Sequence, residues 1–131
     1  MAGSGSALIV ADSAQLRESL LILLRSIPEI AAIYQANDGQ SALNITLEPK
    51  PTLVLLDHHL SRNGHFNTLG RIKAKQPQAR FVVLVGSEKQ VQQAKIAGAD
   101  VVLMKGVRAA RLLDTIESLL ESEPHSKGKV Q

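Results

Sequence analysis

The sequence predicts one α/β domain built on a parallel, doubly wound sheet. Five short apolar runs rich in β-branched residues recur along the chain, helix-period segments alternate with them, and the connections are short. A chain of 131 residues fits one domain, and 44% hydrophobic residues suffice for a continuous core. Aromatics make up only 2%, so that core falls to Leu, Ile, Val and Ala, as suits parallel strands covered by helices.

Residues 1–6 (MAGSGS) are small and patternless and read as a flexible linker or an expression remnant. The domain is expected over residues 7–122, followed at 123–131 by a polar tail, disordered or interdomain. Strands are expected at ALIVA (7–11), AAIYQA (31–36), TLVLL (52–56), RFVVLV (80–85) and VVLM (101–104). The first, third and fourth are nearly continuous apolar runs, the pattern of strands buried on both faces in a sheet centre. Leu16, Leu20, Leu23, Leu24 and Ile27 form the stripe of a first helix, with Ser13 placed to cap it and Pro28 to stop it. A second helix is expected from about Gln40 to Leu47, before Pro49-Lys50-Pro51. A third carries Phe66, Leu69 and Ile72 inward and ends near Pro77. A fourth, from Glu88 to Ala97, stops at Gly98, a natural residue for a left-handed C-terminal cap. The last shows Leu112, Leu113, Ile116, Leu119 and Leu120 on one face and ends before Pro124.

Composition excludes several functions. With no Cys there are no disulfides, no thiolate catalysis and no cysteine-ligated zinc, in agreement with a reducing compartment. No apolar run approaches the roughly 20 residues of a membrane span, and no signal-peptide pattern opens the chain, so a cytoplasmic protein without membrane contact is expected. A net charge of +3, part of it from Lys127 and Lys129 in the tail, does not argue for nucleic acid. The first strand-to-helix turn, Ala11-Asp12-Ser13-Ala14, lacks the glycines that bring backbone amides around a dinucleotide or nucleotide phosphate. His58, His59 and His65 cluster after the third strand without metal-ligand spacing, and read as polar side chains on the rim of a crevice.

In a doubly wound sheet the ligand crevice lies beyond the carboxyl ends of the strands, where strand order reverses. The residues just past each strand are Asp12 after the first, Asp57 after the third, Val85 to Ser87 after the fourth and Lys105 after the fifth. Taken singly, each has a plain structural reading as a helix cap or a solvated strand end. Together, two carboxylates and one ammonium suit a hard divalent cation, with the lysine facing an anion on the same carboxylate. An aspartate can then act as nucleophile and form an acyl phosphate, provided a metal and a cation neutralise the transferring oxygens.

At these residues the chain resembles the receiver domain of two-component response regulators, over about Ala7 to Leu120. LIVADS is similar to the first strand and its acidic pocket, LVLLDHHL to the phosphoacceptor strand, and AGADVVLMKG to the fifth strand with its lysine. The resemblance implies a flavodoxin-like three-layer sandwich with strand order 2-1-3-4-5. It implies Asp57 as phosphoacceptor, Asp12 and Asp57 as ligands of Mg2+, His59 lending its backbone carbonyl to the metal, and Lys105 contacting the phosphoryl group. The phosphate would come from a histidine kinase or phosphotransfer protein. Lys105-Gly106 is similar to receivers attached to helix-turn-helix output domains, so DNA would be reached only through an output domain outside this chain.

The departures from the family pattern are specific. Only Asp12 remains of the acidic pair, beside Ala11, so metal affinity is expected to fall. Val85 stands where a Ser or Thr hydroxyl bonds the phosphoryl oxygen, and Ser87 lies two residues on. Losing such a bond to a charged group removes about 1.5–3 kcal/mol, comparable with the differential that shifts a two-state switch. Val102 replaces the switch aromatic of the fifth strand, Gly106 the proline after the lysine, and Ser61 the proline four residues after Asp57.

The expectation is an atypical receiver, not an enzyme, phosphorylated on Asp57 with weakened coupling to its switch face. The rival is a phosphorylation-independent interaction or dimerisation module using the fourth helix, fifth strand and fifth helix, where Arg108 and Arg111 lie. A metal-dependent phosphate-ester hydrolase is the weaker enzyme reading, because His59 occupies the position where an aspartyl-phosphate phosphatase carries its second acid.

Overall fold

The computed structural model describes residues 5–45, 50–57 and 67–121. Its elements alternate throughout: β1 (Gly5–Val10), α1 (Ala14–Leu24), β2 (Ile30–Ala36), α2 (Gly39–Asn44), β3 (Leu53–Asp57), α3 (Asn67–Lys75), β4 (Arg80–Val85), α4 (Glu88–Ala97), β5 (Val101–Met104) and α5 (Ala109–Glu121). The five strands form one parallel sheet in the order β2-β1-β3-β4-β5. The fold class and the strand order are those expected.

Strand periodicity divides the core in two. Leu8, Val10, Val54, Leu56, Phe81, Val83 and Val85 face one side of the sheet, where Ala42, Leu69, Ile72 and Ala94 of α2, α3 and α4 cover them. Ala7, Ile9, Leu53, Leu55, Val82 and Leu84 face the other, under Leu20 and Leu24 of α1 and Leu112 and Ile116 of α5. Every residue of β3 and β4 is buried, which explains their unbroken apolar runs, whereas the outer strands β2 and β5 are only partly covered.

Some boundaries differ from expectation. Gly5 and Ser6, read from sequence as linker, belong to β1, and Ser6 is fully buried with its hydroxyl donating to the Lys50 carbonyl at 3.1 Å. Their small side chains hide the strand from an apolar-run criterion. They are needed, since a Cβ on Gly5 would lie 2.8 Å from Thr52 Oγ1 and 3.0 Å from the Glu29 carbonyl. Helix α2 ends at Asn44 with Ile45 already extended, short of the expected Leu47. Phe66, assigned inward on the third helix, lies outside the described residues.

The caps follow local chemistry. Ser13 accepts from Leu16 N–H at 3.1 Å, and Gly98 ends α4 with φ 114°, a value that favours glycine. Sequence reading missed the cap of α2, where Asp38 accepts from Ser41 N–H at 2.7 Å. That bond holds the Asp38 carboxyl below its ordinary value. A depressed folded-state value stabilises the fold above the unfolded value, and the contribution is lost as pH falls through the folded one. Wild type is therefore expected to lose more of its thermal stability across the acid limb than Asp38→Asn, which keeps a capping oxygen that does not titrate. Melting curves of the two proteins across that limb measure the difference.

Candidate phosphoacceptor site

The chain reverses direction across the sheet between β1 and β3, so the crevice opens beyond their carboxyl ends. Asp57 is the last residue of β3 and pairs with Leu84 of β4. Its position at the centre of the sheet leaves it 3% exposed. Val10 pairs with Leu56, so Ala11 lies level with Asp57 and Asp12 one residue beyond. Asp12 is exposed and Ala11 fully buried. The carboxylates of Asp12 and Asp57 thus rise from adjacent strands at the same end of the sheet.

Lys105 follows β5, two strands from Asp57, yet its Nζ lies 2.6 Å from Asp57 Oδ1. The Lys105 amide donates to the Val85 carbonyl at 2.7 Å, which continues the β4–β5 ladder past Met104 and aims the side chain across β4. With the lysine side chain 39% exposed and that of Asp57 4%, the pair stands at the wall between core and crevice. The carboxylate belongs to the protein interior and the ammonium to the mouth.

The substituted positions have a common environment. Val85 is fully buried in the apolar cluster with Val83 and Ala94, and Val102 packs against that cluster from β5. Ser87, two residues on, caps α4, its hydroxyl oxygen accepting from Gln90 N–H at 3.4 Å. Gln90 Oε1 in turn accepts from Gly86 N–H at 2.8 Å, so the β4–α4 turn is closed on itself. Val85→Thr is expected to destabilise the unphosphorylated domain by about 1–3 kcal/mol, since its hydroxyl enters an apolar core. Urea unfolding measures this.

Residues 7–117 match the family model described as the response regulator receiver domain. The chain belongs to this family. Among curated relatives, this receiver domain is 27% identical over 118 residues to the nitrate/nitrite response regulator NarL of Escherichia coli (strain K12), covering 88% of this chain and 55% of NarL. It is 36% identical over 111 residues to a protein-glutamate methylesterase/protein-glutamine glutaminase of Syntrophus aciditrophicus, covering 82% of this chain and 32% of the relative. The chain thus spans about half or less of the length of these relatives, and the methylesterase match carries no esterase activity to it. Among solved structures, the CheX-CheY-BeF3-Mg2+ complex from Borrelia burgdorferi aligns with a TM-score of 0.76 at 24% identity, over 90% of both chains, a likeness of fold.

Sequence reading therefore located the receiver's Asp12, Asp57 and Lys105 at one end of the sheet, and the structure joins Asp57 to Lys105. His59, like His58, Ser61 and His65, lies outside the described residues. One residue at this end was not anticipated. Arg17, in the first turn of α1, donates from Nη1 to the Ala11 carbonyl at 2.7 Å. Its signal was available in the sequence as a base close behind the acidic turn.

Proposed function

We propose that this receiver domain accepts a phosphoryl group on Asp57 from a histidine kinase or phosphotransfer protein and regulates an output domain or partner. The observation that carries this reading is the 2.6 Å contact of Lys105 Nζ with the buried Asp57 carboxylate at the crevice. In the transfer, an Asp57 carboxylate oxygen forms the O–P bond as the bond from phosphorus to the donor's imidazole nitrogen breaks. The imidazole leaves with its electron pair, and Lys105 remains against the anionic product.

The donor set suits Mg2+, which takes one or two carboxylates and keeps several waters; here Asp12 and Asp57 would hold it, with the His59 carbonyl as the third protein ligand. When bound, the ion neutralises charge on the transferring oxygens. With Ala11 in place of a second acid beside Asp12, its affinity is reduced. Among the described residues no helix is long and apolar enough to cross a membrane, and we assign the domain to the cytoplasm. Any contact with DNA is assigned to an output domain beyond this chain.

Incubation with acetyl phosphate and Mg2+, followed by intact mass measurement, tests the reading. One phosphoryl adduct on wild type and none on Asp57→Asn is expected; no adduct, or one that survives Asp57→Asn, overturns it.

A second reading has its own observations. Val85 and Val102 offer no polar group to a phosphoryl signal, while Ile96 of α4 is 85% exposed and Met104 of β5 38%. These features favour a phosphorylation-independent interaction module, or a homodimer, through α4, β5 and α5. Partner binding or self-association unchanged by Asp57→Asn supports this module over the switch.

A further inference from the structure

We propose that Arg17 sets the cation affinity of the acidic crevice, an inference that rests on the Mg2+ reading above. Arg17 closes the first turn of α1, where the helix dipole favours acidic side chains and none is present. A base held against that preference needs a local reason, and local conflicts of this kind concentrate at functional sites. Side chains on a helix lean toward its N-terminus, and Arg17 follows this rule back to the strand end. There its part-buried guanidinium donates to the carbonyl of the Ala11–Asp12 peptide at 2.7 Å.

The register locates that charge. The Ala11 amide donates to the Ala36 carbonyl of β2 at 3.1 Å, so the Ala11 carbonyl also faces β2, and the guanidinium is anchored one peptide from Asp12 on the side of β1 away from Asp57. Arginine keeps its charge at every relevant pH, and of its five N–H donors one is used on Ala11. Ala11 contributes only a buried methyl, so the residue that presents its carbonyl to the guanidinium brings no carboxylate to offset it. The end of β1 therefore carries one acid and one permanent base side by side, and a divalent cation approaching Asp12 meets a fixed positive charge.

A unit charge acting on a divalent ion across about 5–10 Å of water-like dielectric changes its binding about four- to fifteenfold. That sets the expected effect of removing it. In the full chain, Mn2+ binding is followed by electron paramagnetic resonance and competed with Mg2+, for wild type, Arg17→Gln, Arg17→Met and Arg17→Lys. Both neutral variants are expected to bind about four- to fifteenfold more tightly, with Arg17→Lys within about twofold of wild type. Raising KCl toward about 1 M, where the screening length is about 3 Å, should close most of the gap, a dependence that a purely structural role for Arg17 does not produce.

Unchanged or weaker binding by the neutral variants, a gap indifferent to salt, or no cation binding by any of the four proteins overturns the inference. The phosphoacceptor reading is judged separately by the adduct on Asp57. An adduct that forms while the Arg17 variants bind alike sinks only the role of Arg17.

Discussion

Lys105→Met is expected to slow formation of the Asp57 adduct by about 10²–10³-fold, the range seen when one preorganised donor is removed from a developing oxyanion. The lysine stands 2.6 Å from Asp57 Oδ1 before any phosphoryl group arrives, so its charge needs no reorganisation during transfer. The same geometry predicts a stability asymmetry. Removing Lys105 takes the ion pair from a carboxylate only 4% exposed and costs about 1–3 kcal/mol, less than for a fully buried pair because the lysine itself is 39% exposed. Asp57→Asn removes the charge whose desolvation is costly and leaves an ammonium that turns to water, so its stability should match or exceed wild type. Adduct formation read by intact mass, and urea unfolding of both variants, measure the two effects together.

The largest stability effect is expected at Phe81. With aromatics at 2% of the chain, the core is aliphatic, and Phe81 is the largest fully buried side chain among the described residues. It sits in β4 beneath Leu69, Ile72 and Ala94, with Lys73 Nζ 4.9 Å from its ring centroid. Its backbone is tied as well, the amide donating to Asp100 Oδ2 at 2.7 Å. Phe81→Ala is expected to cost about 3–5 kcal/mol, transfer and cavity together, a large part of the 5–15 kcal/mol typical of a domain. Equilibrium unfolding in urea checks it. Phe81 lies near the N-terminal end of β4, away from Asp57, so the variant that remains folded should still take up the adduct.

What the sequence made legible follows from which physical signals are local. The doubly wound order rests on β3 and β4, whose unbroken apolar runs announce burial on both faces, and on the Ser13 and Gly98 caps, each a single-residue device. Gly5 and Ser6 were invisible as strand because their reason for being small is tertiary: Thr52 and Glu29 press against Gly5, and Lys50 accepts the buried Ser6 hydroxyl. Asp38 was missed because α2 is a six-residue helix with little periodicity to anchor a cap.

At the site, strand-end position was enough to single out Asp12, Asp57 and Lys105. It was not enough to show how Lys105 reaches across β4, which depends on its amide continuing the ladder to Val85. Nor could a substitution pattern reveal that Val85 and Val102 share one apolar cluster, or that Ser87 and Gln90 are already engaged in closing the β4–α4 turn. Arg17 escaped notice because its role depends on a helix folding back onto the strand before it.

The central claim is that the carboxylate of Asp57 itself receives the phosphoryl group. An acyl phosphate is reduced by borohydride at its carbonyl, so trapping the acetyl-phosphate-treated protein and mapping its peptides identifies the acceptor directly. Homoserine at position 57, absent without acetyl phosphate, is the predicted result. Homoserine at another position, or an unmodified Asp57 in protein that carries the adduct mass, contradicts the account.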